Sequence, residues 1–162
     1  MDEKELKRLI SKAESYCVKG EKSPLEVIYK LRDWSGGEID QQSINLIIAR
    51  LTEDRYLDVE RYVSAFVSDK VRFSKHGPVK IRFALREKGI EDRVIDEAIS
   101  RVSSETWLEL LSDFLRKKLS SVKSENPYQL RDKLFRAAYS RGFTTDLINR
   151  ALSSLDDIDG LD

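Results

Sequence analysis

The side chains best placed to do chemistry in this sequence are cations. Between Lys70 and Lys88 stand seven lysines and arginines (Lys70, Arg72, Lys75, Lys80, Arg82, Arg86 and Lys88) against one acid, Glu87. A planar guanidinium fork binds phosphate or carboxylate in bidentate fashion, so the chemistry on offer is anion recognition rather than bond-making. On a helix beginning at Pro78, Arg82 and Arg86 are four residues apart and share one side, away from Ile81, Ala84 and Leu85 in the apolar stripe. The plain alternative is a solvated helix face. A looser set follows: Arg116, Lys117 and Lys118 with Lys123, then Arg131, Lys133, Arg136, Arg141 and Arg150. These could meet DNA, but cations at a helix C-terminus also complement its dipole, and others simply solubilise.

The remaining chemistry-bearing residues point away from catalysis. Phe73, Phe83 and Tyr128 lie near basic side chains and could stack on bases, yet no RNA-reading motif surrounds them, and core packing is the expectation. Trp34 and Trp107 read as packing anchors. His76 is the only histidine and Cys17 the only cysteine, so no metal-ligand cluster and no internal disulfide are expected; Cys17 reads as a small apolar packing residue. There is no Gly-x-Ser-x-Gly elbow and no glycine-rich phosphate loop with its lysine. A protein without enzymatic activity, cofactor or metal is expected.

Charge is unevenly spread although the sum is zero. Residues 1–60 hold 10 Lys/Arg against 13 Asp/Glu, residues 61–155 hold 19 against 12, and residues 156–162 hold none against four. The neutral total thus hides a basic middle, suited to an anionic partner. No apolar run approaches the roughly 20 residues needed to span a bilayer, and the acidic, lysine-rich start lacks a secretory apolar core. A cytoplasmic protein is expected, with no membrane contact. High charge with ten Gly and Pro residues together favours helices.

The elements that must position these cations recur. Ser23-Pro24-Leu25-Glu26 reads as a capped helix start with proline at the first helical position; Gly77-Pro78 and Asn126-Pro127 repeat the punctuation. Seven residues after each proline comes a leucine, Leu31, Leu85 and Leu134. Each helix then ends at glycine (Gly36-Gly37, Gly89, Gly142), the third about one turn longer. Another amphipathic helix follows each: from Ile90 come Val94, Ile95, Ala98 and Ile99, and from Phe143 come Leu147, Ile148, Ala151 and Leu152 at the same offsets. From Ile39 the match is looser, with Ser43 before Ile44, Ile47 and Ile48. A longer helix precedes each pair, at roughly residues 3–18, 59–74 and 105–122. The fold class predicted is all-α: three tandem three-helix repeats with a period of about 50 residues, in an elongated, curved array. The repeats are placed at residues 1–54, 55–102 and 103–155, with 156–162 an acidic tail expected to lack fixed structure.

The segment from Lys75-His76-Gly77-Pro78 through Lys88-Gly89-Ile90 resembles the central signature of the RecX family. Tyr56-Leu57-Asp58-Val59-Glu60-Arg61-Tyr62 resembles the same family's segment, with Val59 in place of a second acid, and Arg141-Gly142-Phe143-Thr144 matches its Arg-Gly-Phe before a small hydroxyl residue. The likeness covers roughly residues 16–152. It is weakest in the first repeat, where Lys22-Ser23 and Glu26-Val27 depart from the usual Arg before Ser and Leu after Glu; Arg55 also replaces a common glycine. The resemblance implies tandem three-helix repeats. It also implies docking into a RecA filament on single-stranded DNA, inhibiting its ATPase, strand exchange and promotion of repressor self-cleavage. The expected partners are therefore the RecA filament and single-stranded DNA, with double-stranded DNA left open, and the expected state is a monomer. On this reading the face with Arg82 and Arg86 contacts the filament, and acidic substitutions at both abolish inhibition. A helical nucleic-acid-binding protein that only competes for DNA, or a structural scaffold, is the alternative.

Overall fold

The computed structural model describes residues 1–159, with side chains through Leu155. Among them are nine α-helices and no strand: α1 (Glu3–Val18), α2 (Pro24–Trp34), α3 (Gln41–Glu53), α4 (Val59–Asp69), α5 (Pro78–Glu87), α6 (Asp92–Ser100), α7 (Ser104–Leu119), α8 (Pro127–Ser140) and α9 (Thr145–Asp159). They form the tandem helix triplets that the proline and glycine spacing predicts.

The helix boundaries follow the local chemistry. Ser23 Oγ accepts from Glu26 N at 3.2 Å while the Glu26 carboxylate accepts from Ser23 N at 3.0 Å, the reciprocal cap predicted for α2. Asn126 Oδ1 caps α8 by accepting from Gln129 N at 2.9 Å. Gly36, Gly37, Gly89 and Gly142 all adopt positive φ past the helix ends.

Three boundaries differ from the sequence expectation. Residues Lys70–Ser74 continue α4 as a π-helical turn rather than as α-helix, ending at Lys75 in the left-handed region (φ 56°). Val67 and Val71 keep a step of four that both windings tolerate, so the apolar pattern does not distinguish them. Helix α7 stops at Leu119 rather than near residue 122 because the Ser120 and Ser121 hydroxyls bond back to the Lys117 and Lys118 carbonyls at 2.8 and 3.0 Å. Helix α9 runs to Asp159, into the segment expected to be an acidic tail; residues 160–162 lie outside the described residues.

Two compact units divide the chain, and the middle triplet is shared between them. The first is Met1–Phe66 with Leu85–Val94. Helices α1, α2 and α3 pack on one another there around Leu9, Ala13, Val27, Leu31 and Ile47, all fully buried. Cys17 is buried in the same core, and Trp34 packs partly against it. The start of α2 meets the end of α5: Lys88 Nζ donates to Glu26 Oε1 at 2.9 Å, and Leu25 lies against Gly89. Tyr62 shares this cluster. Burial, and then the Glu26 charge, push its phenol up to about 12. Because the folded value lies above the ordinary one, this contribution to stability is complete below about pH 10 and is lost as the pH climbs through about 12. A Tyr62→Phe variant should lack that loss in alkaline unfolding curves.

One residue of the first unit sits against its backbone preference. Arg55 has φ 63°, the left-handed region that a glycine enters without strain. Arg55→Gly is expected to stabilise the fold by about 0.5–1 kcal/mol, seen as a higher urea midpoint with an unchanged slope.

The second unit is Val67–Ala84 with the chain from Ile95 onward. Helices α7, α8 and α9 pack mutually around Leu111, Leu115, Leu134, Ala138 and Ile148. Here the start of α5 meets the end of α8 through backbone alone. Gly77 N donates to Arg141 O at 2.8 Å and Val79 N donates to Gly142 O at 2.9 Å, so amides without a partner inside α5 are satisfied by carbonyls at the close of α8.

Candidate functional site

Of the sixteen cations singled out in the sequence, Arg150 pairs with Asp146 at 4.0 Å and Lys123 is exposed; the other fourteen separate into two groups. Those in ion pairs or hydrogen bonds within the fold come first. Arg82 pairs with Asp96, and Arg86 clasps Asp92 through two hydrogen bonds of 2.7 and 2.9 Å, so both arginines of the expected binding face already meet carboxylates of α6. Lys88 is held by Glu26, as described above. Arg116 pairs with Asp113 at 3.6 Å and Arg136 with Asp132 at 3.2 Å, both along one helix. Lys133 Nζ donates to Lys123 O at 2.5 Å. Arg141 donates to Ser74 O at 3.0 Å and lies 5.0 Å from the Phe114 ring centre, clamping the π-helical turn. Lys70 and Arg131 are half-buried.

Arg72, Lys75 and Lys80 are exposed and have no carboxylate partner among the described residues. Lys117 and Lys118, equally without one, sit in the last turn of α7, where their charge complements the helix dipole.

The exposed aromatics run against the packing expectation. Phe73 is 72% exposed, Phe83 63% and Tyr128 86%, so none of the three is core. Only Trp107 and, in part, Trp34 pack as predicted. The reason is local. Phe83 stands two residues after Ile81 and two before Leu85, which are both fully buried, so it faces away from their stripe. Phe73 stands in the π-helical turn, with the Arg72 guanidinium 5.3 Å from its ring centre. Val79, missed in the sequence, is also 52% exposed and shares a helix side with Phe83 at a step of four.

The site is therefore a face of the π-helical turn and α5, in the second unit: Arg72, Phe73, Lys75, Val79, Lys80 and Phe83. The left-handed Lys75 ends the π-helical turn just before α5, and Lys80 and Phe83, three apart on α5, are surface neighbours. His76 lies half-buried between them in sequence. Its imidazole is held below the usual range by burial and by the charges of Lys80, Lys70 and Arg141, which keeps it neutral beside the cations. Such a face can take an anion on its lysines and a flat or apolar group on its phenylalanines. Among the described residues no three His, Cys, Asp or Glu side chains converge as metal ligands, and no helix is long and apolar enough to cross a membrane.

Tandem helix triplets of this kind define a helical-repeat protein. Models of the RecX second and third three-helix domains match residues 60–99 and 105–152. The chain belongs to the RecX family. It is 30% identical over 149 residues to the regulatory protein RecX of Clostridium acetobutylicum, covering 90% of this chain and 67% of that one. It is 34% identical over 111 residues to the RecX of a Clostridium botulinum strain, covering 67% and 51%. The chain thus spans about half to two thirds of the length of these relatives. The crystal structure of RecX from Lactobacillus salivarius superposes with a TM-score of 0.83 at 23% identity, covering 93% of this chain and 96% of that one, which shows the same fold.

Proposed function

We propose that this protein binds a RecA filament assembled on single-stranded DNA and restrains its ATP hydrolysis, strand exchange and stimulation of repressor cleavage, acting in the cytoplasm as a monomer and without covalent chemistry of its own. Membership of a family whose relatives are called regulatory proteins supports a regulatory role. The observation that carries the reading is the α5 face, where exposed Phe73, Val79 and Phe83 stand among Arg72, Lys75 and Lys80. Large apolar side chains this exposed mark interaction surfaces, and unpaired cations beside them fit an anionic partner such as a nucleoprotein filament.

The test is ATP hydrolysis by preformed RecA filaments on saturating single-stranded DNA, titrated with this protein and repeated with excess free DNA. Inhibition below one protein per RecA protomer that survives the added DNA is the expected result. Inhibition that vanishes with excess DNA, or falls steeply with salt in step with free-DNA binding, reassigns the protein to DNA competition. No inhibition overturns the reading.

A further inference from the structure

We infer that the first triplet carries a separate groove for the phosphate backbone of single-stranded nucleic acid, formed by α1 and α2 around Tyr16 and Trp34. The groove is about 490 Å³ and is lined by three lysines (Lys12, Lys19, Lys30), the hydroxyls of Ser11 and Ser15, and the two rings. No carboxylate lines it, although residues 1–60 carry more acids than bases, 13 against 10. Four acids of this unit are held in ion pairs, Glu3 with Lys7, Glu5 with Arg8, Glu21 with Arg61 and Glu26 with Lys88, while Glu26 and Asp33 line the neighbouring groove beside Tyr16 and Lys30. Lys12, Lys19 and Lys30 form no ion pair among the described residues. The lining of the groove itself is therefore cationic.

Helical spacing sets the arrangement. Lys12, Tyr16 and Lys19 follow one another at steps of four and three along α1, and Lys30 and Trp34 at a step of four along α2. The two rings meet edge to face, 6.0 Å apart at 87°. Lys12 Nζ stands 5.4 Å from the Trp34 ring centre, and the Lys22 and Lys30 ammonium groups stand 4.7 and 5.6 Å from that of Tyr16. A cation over a ring keeps its charge and its remaining donors, so the rings hold the ammonium groups in place without neutralising them.

The residue types select the ligand. The lining cations are all lysine, compact point charges that meet phosphate oxygens without fixing a bidentate geometry. Serine hydroxyls are ordinary phosphate partners, and aromatic rings among basic side chains are the usual setting of a single strand. The identity of the strand, the one coated by the recombinase, rests on the function proposed above; the groove itself does not.

The experiment uses the full chain and an oligothymidylate of about 20 nucleotides, followed by tryptophan fluorescence. Of the two tryptophans, Trp107 is buried, so quenching reports Trp34. Quenching is expected in the parent and lost in Trp34→Phe. The Lys12→Gln, Lys30→Gln double variant should bind about tenfold more weakly, with a salt slope lower by about two. An unquenched Trp34, or equal affinity of the double variant, overturns the groove. Quenching by polyglutamate but not by the oligonucleotide overturns its assignment to nucleic acid. If the parent is quenched with this lysine dependence yet fails to inhibit filaments, the proposed function falls and the groove stands. Inhibition without quenching removes the groove alone.

Discussion

Gly142→Ala should cost at least about 4 kcal/mol, most of the stability of a domain at the low end of the ordinary range of about 5–15 kcal/mol. A Cβ added at Gly142 would fall on the Lys80 side chain and within 2.6 Å of the Lys80 nitrogen, in backbone that cannot swing aside. Its φ of 92° disfavours any side chain besides. Relieving the overlap means moving the start of α5 off the end of α8. That breaks the bonds from Gly77 N to Arg141 O and from Val79 N to Gly142 O, leaving the groups unpaired. Gly77→Ala should behave alike, because its Cβ would lie 2.5 Å from the Gly142 carbonyl carbon. Gly36→Ala is the control: its φ is also positive, at 64°, but nothing lies within 4 Å, so about 1 kcal/mol is expected. Urea unfolding followed by circular dichroism separates the cases. Equal losses at Gly36 and Gly142 would show that the close approach of α5 to α8 carries no stability.

That contact shows what a sequence can and cannot disclose. Gly77-Pro78 and Arg141-Gly142 were legible as a helix start and a helix end because proline and glycine have narrow backbone preferences. Nothing in their spacing says that one caps the other, since the bonds between them are formed by backbone atoms that every residue owns. The apolar stripes were legible for a similar reason: a helix repeats every 3.6 residues, and Ile81 and Leu85 had to face a core. The cations were the hard part. A charge count weighs Arg82 and Lys80 equally, yet Asp96 of α6 pairs with the first and no carboxylate among the described residues pairs with the second. The lysines around Trp34 were invisible for the opposite reason. They come from two helices within a segment whose total charge is negative, so no window along the chain registers them.

The pairing of Arg82 and Arg86 bears directly on which substitutions report on binding. Glutamate at either position faces Asp96 or Asp92 with like charge, so Arg82→Glu with Arg86→Glu breaks the ion pairs between α5 and α6 together with any contact to a partner. Lys75→Glu with Lys80→Glu breaks no ion pair, and an acid at position 80, in the first turn of α5, favours the helix dipole. This second double variant should keep the parent's unfolding curve and lose filament inhibition by at least about tenfold, which corresponds to roughly 1.4 kcal/mol of binding. Phe83→Ala tests the apolar half of the same face: its ring is largely in water in the free protein, so truncation spares stability but removes area that a partner would bury. If the Lys75, Lys80 and Phe83 variants all inhibit as the parent does while Arg82→Gln with Arg86→Gln does not, the filament meets the flank of α5 that borders α6. The acids Asp92 and Asp96 would then have to release their arginines on binding, and the inhibition would weaken with salt less steeply than simple phosphate contact predicts.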